Sequence, residues 1–139
     1  MTTFSNFAHL NGRVPLVGMT AGRCFAGNAA LLGCCDVVIA TRDSNIGMGG
    51  PTMVEGGGLG RFTPEQIGPA DVQHPNGVID ILVDNEAEAV DAARQYLGFF
   101  QGSTTAWQAP DTQALRDVVP ENRLRAYDSR TALREIADA

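Results

Sequence analysis

The glycines between positions 22 and 33 have the clearest chemical potential, because they follow an apolar run and open into a helix-like run of small residues. The segment between the two runs is predicted to be a turn, and it contains Gly22 and Gly27. Asn28 to Leu32 have the composition of a short helix. The first N–H groups of a helix have no partner inside it, and glycine leaves them uncovered. Such amides bind anions and stabilise negative charge that develops during a reaction. The N–H groups of Gly27 and Asn28 are therefore the candidate catalytic donors.

A purely structural interpretation of these glycines is equally compatible with the residues alone. Gly22, Gly27 and Gly33 would then serve only to let a strand and a helix pack closely. The choice between the two interpretations depends on what other chemistry the chain can perform.

Composition removes most other catalytic devices. All 10 basic residues are arginine, which excludes lysine Schiff bases, lysine general bases and a P-loop lysine within this chain. Gly22 and Gly27 have P-loop spacing, but Asn28-Ala29 follows where Lys-Ser/Thr is required. No G-x-G-x-x-G follows a strand and no serine lies in G-x-S-x-G. His9 and His74 are isolated, so we predict no metal site.

Charge and hydropathy restrict the partners and the compartment. The net charge of −6 argues against a nucleic-acid partner, which requires clustered basic residues. The sequence contains no run of about 18 apolar residues, so it predicts no membrane span. The N-terminus lacks the pattern of a signal peptide, and we therefore expect a cytoplasmic protein. Cys24, Cys34 and Cys35 have small or apolar neighbours, which predicts reduced, buried thiols.

The hydrophobic pattern predicts an α/β chain. The apolar runs 14–19 and 36–40 are typical of strands in a sheet that is covered on both faces. Segment 101–120 is rich in Gly, Ser, Thr, Gln, Pro and Asp, which is typical of a linker. The remaining predictions are strands at 45–48 and 78–83, helices at 3–10, 28–32, 86–99, after Pro64 and from 129 to the end, and loops at 56–60 and 70–77.

Several motifs carry a resemblance to known families. The runs 14–18 and 22–30, with Cys35-Asp36, resemble the crotonase-type superfamily. The segments that follow are similar to the β-type carboxyltransferase component of biotin-dependent acyl-CoA carboxylases. These segments are Ile46–Pro51, Thr63–Gly68, His74–Asp80 and Glu88–Leu97. Their order and spacing over residues 1–100 are more specific than any one of them.

The resemblance implies an α/β, crotonase-like partial domain: the first carboxyltransferase half plus its connection to the second. Residues 1–100 would be the C-terminal part of an N-terminal carboxyltransferase domain, residues 101–120 the linker, and residues 121–139 the start of the second half. The upstream strands would then be missing, and the second oxyanion hole and the biotin site would lie beyond Ala139.

The family's chemistry uses two oxyanion holes made of backbone amides, one for the enolate of the acyl-CoA thioester and one for the ureido oxygen of biotin. The resemblance places Gly27 and Asn28 at the first. Asn28 departs from the commoner glycine, which a backbone donor tolerates if the φ angle of Asn28 is ordinary. Gly49, Gly50 and Pro51 resemble the turn beside the acyl-CoA site. Phe25 and Ala26 are assigned to substrate binding with them.

The implied reaction transfers a carboxyl group from carboxybiotin to the α-carbon of an acyl-CoA. Biotin would not be attached to this chain but would arrive on a carrier protein or domain. The implied partners are therefore acyl-CoA, the biotin carboxyl carrier and biotin carboxylase components, and further copies in a homo-oligomer. No nucleic acid, membrane or metal is expected.

Two alternatives remain open. An enoyl-CoA hydratase resembles the chain at the oxyanion glycine, but its two catalytic acids would fall at Ala30 and at Gly49-Gly50-Pro51, where no acid stands. The other alternative is a truncated, non-catalytic remnant or an interaction module, since a single half would carry at best half of an active site.

Overall fold

The computed structural model describes residues 3–103 and 111–137, which form two compact units, Met1–Gln101 and Gly102–Ala139. In the first unit the helices are α1 (Thr3–Ala8), α2 (Gly27–Leu32), α3 (Pro51–Gly56), α4 (Ala70–Gln73) and α5 (Glu86–Gly98), with a 3₁₀ turn at Pro64–Gln66. Its strands are β1 (Val17–Thr20), β2 (Arg23–Phe25), β3 (Val37–Thr41), β4 (Asn45–Gly47) and β5 (Ile81–Val83). The second unit contains a 3₁₀ turn at Thr112–Ala114, α6 (Leu115–Val118) and α7 (Ser129–Ile136).

The larger sheet has the parallel order β1-β3-β5, and β3 is its buried centre. Successive side chains of a strand point to opposite faces. Val37 and Ile39 accordingly pack with α5, whereas Val38 and Ala40 pack with α2 and with Ile46 of β4. The sheet is therefore covered on both faces, as the continuous apolar pattern of β3 predicts.

Strands β3 and β5 are each preceded by an aspartate that makes the same pair of hydrogen bonds to a neighbouring strand segment. Asp36 donates its N–H to the Leu16 carbonyl at 2.8 Å, and its carboxylate accepts the Leu16 N–H at 2.8 Å. Asp80 repeats the pattern with Val38, at 2.9 Å and 2.7 Å. Each aspartate precedes its strand by one residue and pairs with the neighbouring strand. The carboxylate thus supplies an acceptor where the ladder begins.

Most predicted elements are confirmed. Strands β1, β3, β4 and β5 and helices α1, α2, α5 and α7 fall within or close to the predicted ranges, and the Asn85 side chain caps α5 by accepting the Glu88 N–H. His9 and His74 are exposed. Within the part of the chain that the structure describes, no helix is long and apolar enough to cross a membrane.

Some predictions were wrong in detail. The predicted loop 70–77 begins with α4, because Pro69 in an extended conformation starts a helical turn there. The sequence pattern missed β2 and α3, since each is short and lies among glycines. Segment 101–120 contains a 3₁₀ turn and α6 over 112–118, while 104–110 lie outside the described residues, so its role as a linker between domains stays a prediction. Cys34 is exposed, because it stands in the turn after α2.

Removing the Asp80 carboxylate should destabilise the protein. We expect Asp80→Ala to lower the free energy of unfolding by about 1–2 kcal/mol, because the Val38 N–H loses its charged acceptor. Urea denaturation followed by circular dichroism measures the change. Asp80→Asn keeps an acceptor oxygen and should lose less. Equal stability of wild type and Asp80→Ala would contradict the role given to this carboxylate.

Gly68 should tolerate no side chain. Its φ is +55°, and a Cβ there would overlap the carbonyl oxygen of Ile46. We expect Gly68→Ala to cost at least about 3 kcal/mol of stability, because left-handed strain and overpacking add. Gly77 is the matched control, since its φ is +83° but a Cβ would meet nothing within 4 Å.

Gly77→Ala should cost only about 1 kcal/mol, the strain alone. The same urea titration compares the two variants. Similar losses in the two variants would show that the clash with the Ile46 carbonyl does not contribute to the loss of stability.

Candidate functional site

Two helices begin at one edge of the smaller sheet. Strands β2 and β4 pair in parallel, with Phe25 opposite Gly47, and the Ala26 N–H donates to the Gly47 carbonyl at 3.1 Å. α2 follows β2, and α3 follows β4 after three residues. Because the carboxyl ends of parallel strands lie at one edge, both helix starts face the crevice where α/β proteins commonly bind ligands.

The candidate donors stand in the first turn of α2. Ala26 is the N-cap, and the Ala30 N–H donates to the Ala26 carbonyl at 3.0 Å. Gly27 and Asn28 precede this first bond, so their N–H groups have no acceptor within the helix, and no side chain caps them. Asn28 has a helical backbone, and the only positive φ among described non-glycine residues is at Ala26. The condition that the φ angle of Asn28 be ordinary is therefore met.

Ala26 holds the turn in a strained conformation. Its φ of 54° and ψ of −122° lie in a region that glycine adopts readily and alanine rarely. Strain of this kind costs about 1–3 kcal/mol and persists where surrounding bonds fix the backbone, often at functional sites. Here the two fixing bonds are those of Ala26 with Gly47 and with Ala30. They set the direction of the peptide that enters α2.

An aromatic ring limits the size of residue 27. A Cβ at Gly27 would lie 3.1 Å from the Cζ atom of Phe4, so α1 approaches the start of α2 closely. Phe4 itself remains 55% exposed. A side chain at position 27 would have to displace the Phe4 ring slightly, so glycine eases packing as well as leaving the amide uncovered, and the two interpretations of this glycine are compatible.

The structure brings two of the predicted substrate-binding segments together. Gly50 is the N-cap of α3 and Pro51 its first residue, so the predicted turn 49–51 is a helix start. A Cβ at Gly50 would lie 3.6 Å from the Phe25 ring, and one at Gly47 equally close. The ring of Phe25, the last residue of β2, thus lies against the end of β4 and the start of α3. Ala26 and Asn28 are exposed beside it.

An open cavity of about 330 Å³ adjoins Asn28. Its walls come from α1, β1, β2, α2 and the turn after α2, and most of the lining residues are apolar or sulfur-containing. Sequence reasoning missed this cavity, because its walls come from several separate segments. The lining residues are Phe7, Gly18, Met19, Thr20, Arg23, Cys24, Asn28, Leu31, Leu32 and Cys35.

A charged pair lies on the β2 side of the site. Arg23 forms an exposed ion pair with Glu65, 42 residues further along the chain. Backbone hydrogen bonding and then the Arg23 side chain hold the pKa of Glu65 below its usual value. The Asn45 amide fixes this loop by donating to the carbonyls of Glu65 and Ile67 at 3.1 and 3.2 Å. Glu65 is therefore ionised at neutral pH and poorly suited to donate a proton.

Two thiols of the site are harder to ionise than a free thiol, because they are partly or fully buried. Burial raises the pKa of Cys24, and burial followed by the charges of Cys34 and Asp36 raises the pKa of Cys35. Among residues 3–103 and 111–137, no three His, Cys, Asp or Glu side chains converge as a metal site. The described part of the site thus offers backbone amides together with the side chains of Thr20, Arg23 and Asn28 in the cavity wall.

Comparison with known proteins places this geometry in a family. The model of the carboxyl transferase domain matches residues 1–139. The uncharacterized carboxylase YngE of Bacillus subtilis is 29% identical over 97% of this chain and 28% of its own length. The biotin-dependent acetyl-/propionyl-coenzyme A carboxylase beta6 subunit of Mycobacterium tuberculosis is 29% identical over 98% of this chain and 30% of its own length.

Solved structures agree in fold. A single-chain, multi-domain long-chain acyl-CoA carboxylase superposes with a TM-score of 0.78 and 60% identity, covering 99% of this chain and 14% of that chain. The beta subunit of Pseudomonas aeruginosa geranyl-CoA carboxylase gives a TM-score of 0.59 at 27% identity, covering 97% and 27% of the respective chains.

The chain spans less than a third of the length of these relatives. The predicted α/β fold of the crotonase-like carboxyltransferases is confirmed. With the family model matching from the first residue to the last, this chain belongs to the carboxyl transferase domain family.

Proposed function

We propose that this chain forms the acyl-CoA side of a carboxyltransferase that moves a carboxyl group from carboxybiotin to the α-carbon of an acyl-CoA. The observation that carries the proposal is the family match over all 139 residues. The uncapped amides of Gly27 and Asn28 at the edge of the β2–β4 sheet support it. The domain assignment 1–100, 101–120 and 121–139 is part of the same proposal.

The amides would act on the thioester oxygen. When the acyl-CoA loses its α-proton, negative charge moves onto this oxygen, and the N–H groups of Gly27 and Asn28 bind the resulting enolate more strongly than the neutral carbonyl. One such donor contributes roughly 3 kcal/mol in comparable oxyanion holes. The strained Ala26 turn fixes the donors before substrate arrives, so little reorganisation is needed.

The donor set also fits a biotin-dependent reaction. The site offers neutral backbone amides, which suit the carbonyl oxygens of a thioester and of a ureido ring alike. Carboxybiotin would supply the carboxyl group as the electrophile. In this proposal the chain holds the acyl-CoA thioester at Gly27 and Asn28, with Phe25, Ala26 and the start of α3 at Gly49, Gly50 and Pro51 beside it.

The substrate we propose is a long-chain acyl-CoA, since the 60% identical structure is that of a long-chain acyl-CoA carboxylase. The proposed partners are a biotin carboxyl carrier and a biotin carboxylase, as separate proteins or domains. A homo-oligomer in the cytoplasm completes the proposal, and one structural relative, transcarboxylase 12S, forms a hexamer.

The side chains favour carboxyl transfer over hydration. A hydratase adds water with the help of acids, but Ala30 is apolar and the turn 49–51 carries no carboxylate. Glu65 lies on the β2 side, but its pairing with Arg23 keeps it ionised.

The direct test incubates the protein that contains this chain with carboxybiotin and acyl-CoAs of different lengths. Absence of transfer to every acyl-CoA would reject the proposal and favour a non-catalytic role.

Deleting the Asn28 N–H should abolish most of the activity. We expect Asn28→Pro to lower kcat by about 10²–10³, because proline has no N–H and one oxyanion donor is lost. Proline is tolerated in the first turn of a helix, and circular dichroism checks the fold. Steady-state carboxylation kinetics provide the measurement.

Asn28→Ala is the matched comparison, since it removes the side chain and keeps the N–H. We expect a loss of less than about 5-fold in kcat, well below that of a deleted oxyanion donor. Comparable losses in both variants would assign the role to the side chain of Asn28 and overturn the backbone mechanism.

Neutralising Glu65 should leave carboxyl transfer nearly intact. We expect Glu65→Gln to change kcat by less than about 3-fold, with the same pH profile between about pH 6 and 8, because the carboxyl group is ionised throughout this range. The lowered pKa means that the Arg23 pair is present above the titration of Glu65 and is lost only as pH falls through it. A large loss in kcat with a changed pH profile would identify Glu65 as a proton-transfer group.

A further inference from the structure

Three free thiols surround α2 but differ in accessibility. Cys24 on β2 is buried, Cys35 is half-buried, and Cys34 is exposed. Cys34 and Cys35 are adjacent in the turn that leads from α2 to β3. The proposed carboxyl transfer uses none of these thiols, so a reaction at the thiols does not depend on that function.

Adjacent cysteines are poorly placed for a disulfide with each other. Consecutive Cα atoms lie 3.80 Å apart, whereas disulfides usually join Cα atoms about 4.4–6.8 Å apart. An atom inserted between the two sulfurs enlarges the ring and removes this constraint. Trivalent arsenic is such an atom, since it is thiophilic and forms two bonds to a pair of neighbouring thiols.

We propose that Cys34 and Cys35 form a paired-thiol site that captures trivalent organoarsenicals as a cyclic dithioarsenite. In the reaction R′As(OH)₂ + 2 RSH → R′As(SR)₂ + 2 H₂O, R′ is the organic group on arsenic and RSH is a cysteine thiol. Two As–O bonds break and two As–S bonds form. Each thiol proton leaves in a water molecule, and no oxidant or reductant is required. The exposed thiol of Cys34 bonds first, and Cys35 closes the ring.

Ring closure must move the Cys35 sulfur out of its packed position. Its Sγ atom donates to the Leu31 carbonyl at 3.5 Å, and a Cβ at Gly18 would lie 3.1 Å from it. The sulfur therefore fills space between α2 and β1 and forms part of the cavity wall that Asn28 also lines. Capture of the arsenical withdraws this side chain from β1 and so reshapes the cavity beside α2.

Phenylarsine oxide, which hydrates to the reactive dihydroxy form, tests the proposal on the intact protein that contains this chain. Peptide mass spectrometry should find one phenylarsenic group on the peptide that holds both cysteines, with both thiols protected from maleimide. A 1,2-dithiol should remove it, whereas an equal concentration of a monothiol should not. An adduct on one thiol, displaced by a monothiol, would overturn the proposal, as would no adduct at these residues.

Variants separate the pair from the third thiol. Cys34→Ser and Cys35→Ser should each weaken binding by about 100-fold, because the second As–S bond is lost and with it the high effective concentration of an intramolecular partner. Cys24→Ser should bind as the wild type does. Equal binding by all three variants would refute the paired site, and peptide mapping of the wild type decides the question even where a variant fails to fold.

Discussion

The hydrogen bond from Ala26 to Gly47 is the constraint on which the candidate site depends. It joins the carboxyl ends of β2 and β4, and so places the starts of α2 and α3 along one edge. The same bond helps to hold Ala26 at a positive φ that alanine rarely adopts. A strained peptide is thereby fixed at the entrance of α2, and the Gly27 and Asn28 amides acquire a defined direction without any capping side chain.

The larger sheet supports this edge through α2, which packs on one of its faces. β3 is buried along its whole length, with α5 on one face and α2 on the other. Asp36 and Asp80 fix the starts of β3 and β5 by reciprocal bonds to Leu16 and Val38. Because α2 packs on this sheet, its first turn cannot move without disturbing buried apolar contacts. The start of α2 is thus held in place by the packing of the apolar strands.

The elements with strong local signals could be predicted from the sequence. The apolar run of β3 and the Asn85 cap of α5 follow from local rules, and both are confirmed. The short strand β2 was not predicted, because its pairing partner β4 lies about 20 residues further along the chain. The short helix α3 was not predicted, because it follows directly on Gly49 and Gly50, which the sequence pattern presents as a turn. Cys34 was misplaced for a similar reason, since its neighbours along the chain do not reveal that the turn after α2 faces solvent.

By itself, the sequence determined the α/β pattern, the absence of lysine chemistry and the family resemblance carried by ordered motifs, since these are properties of residue type and spacing. Only the tertiary structure decided the ordinary φ of Asn28, the strain at Ala26, the contact of Phe4 with Gly27 and the ion pair of Arg23 with Glu65. The reason is physical: backbone angles and contacts between residues far apart in sequence are set by packing and hydrogen bonding in three dimensions, which no local pattern encodes.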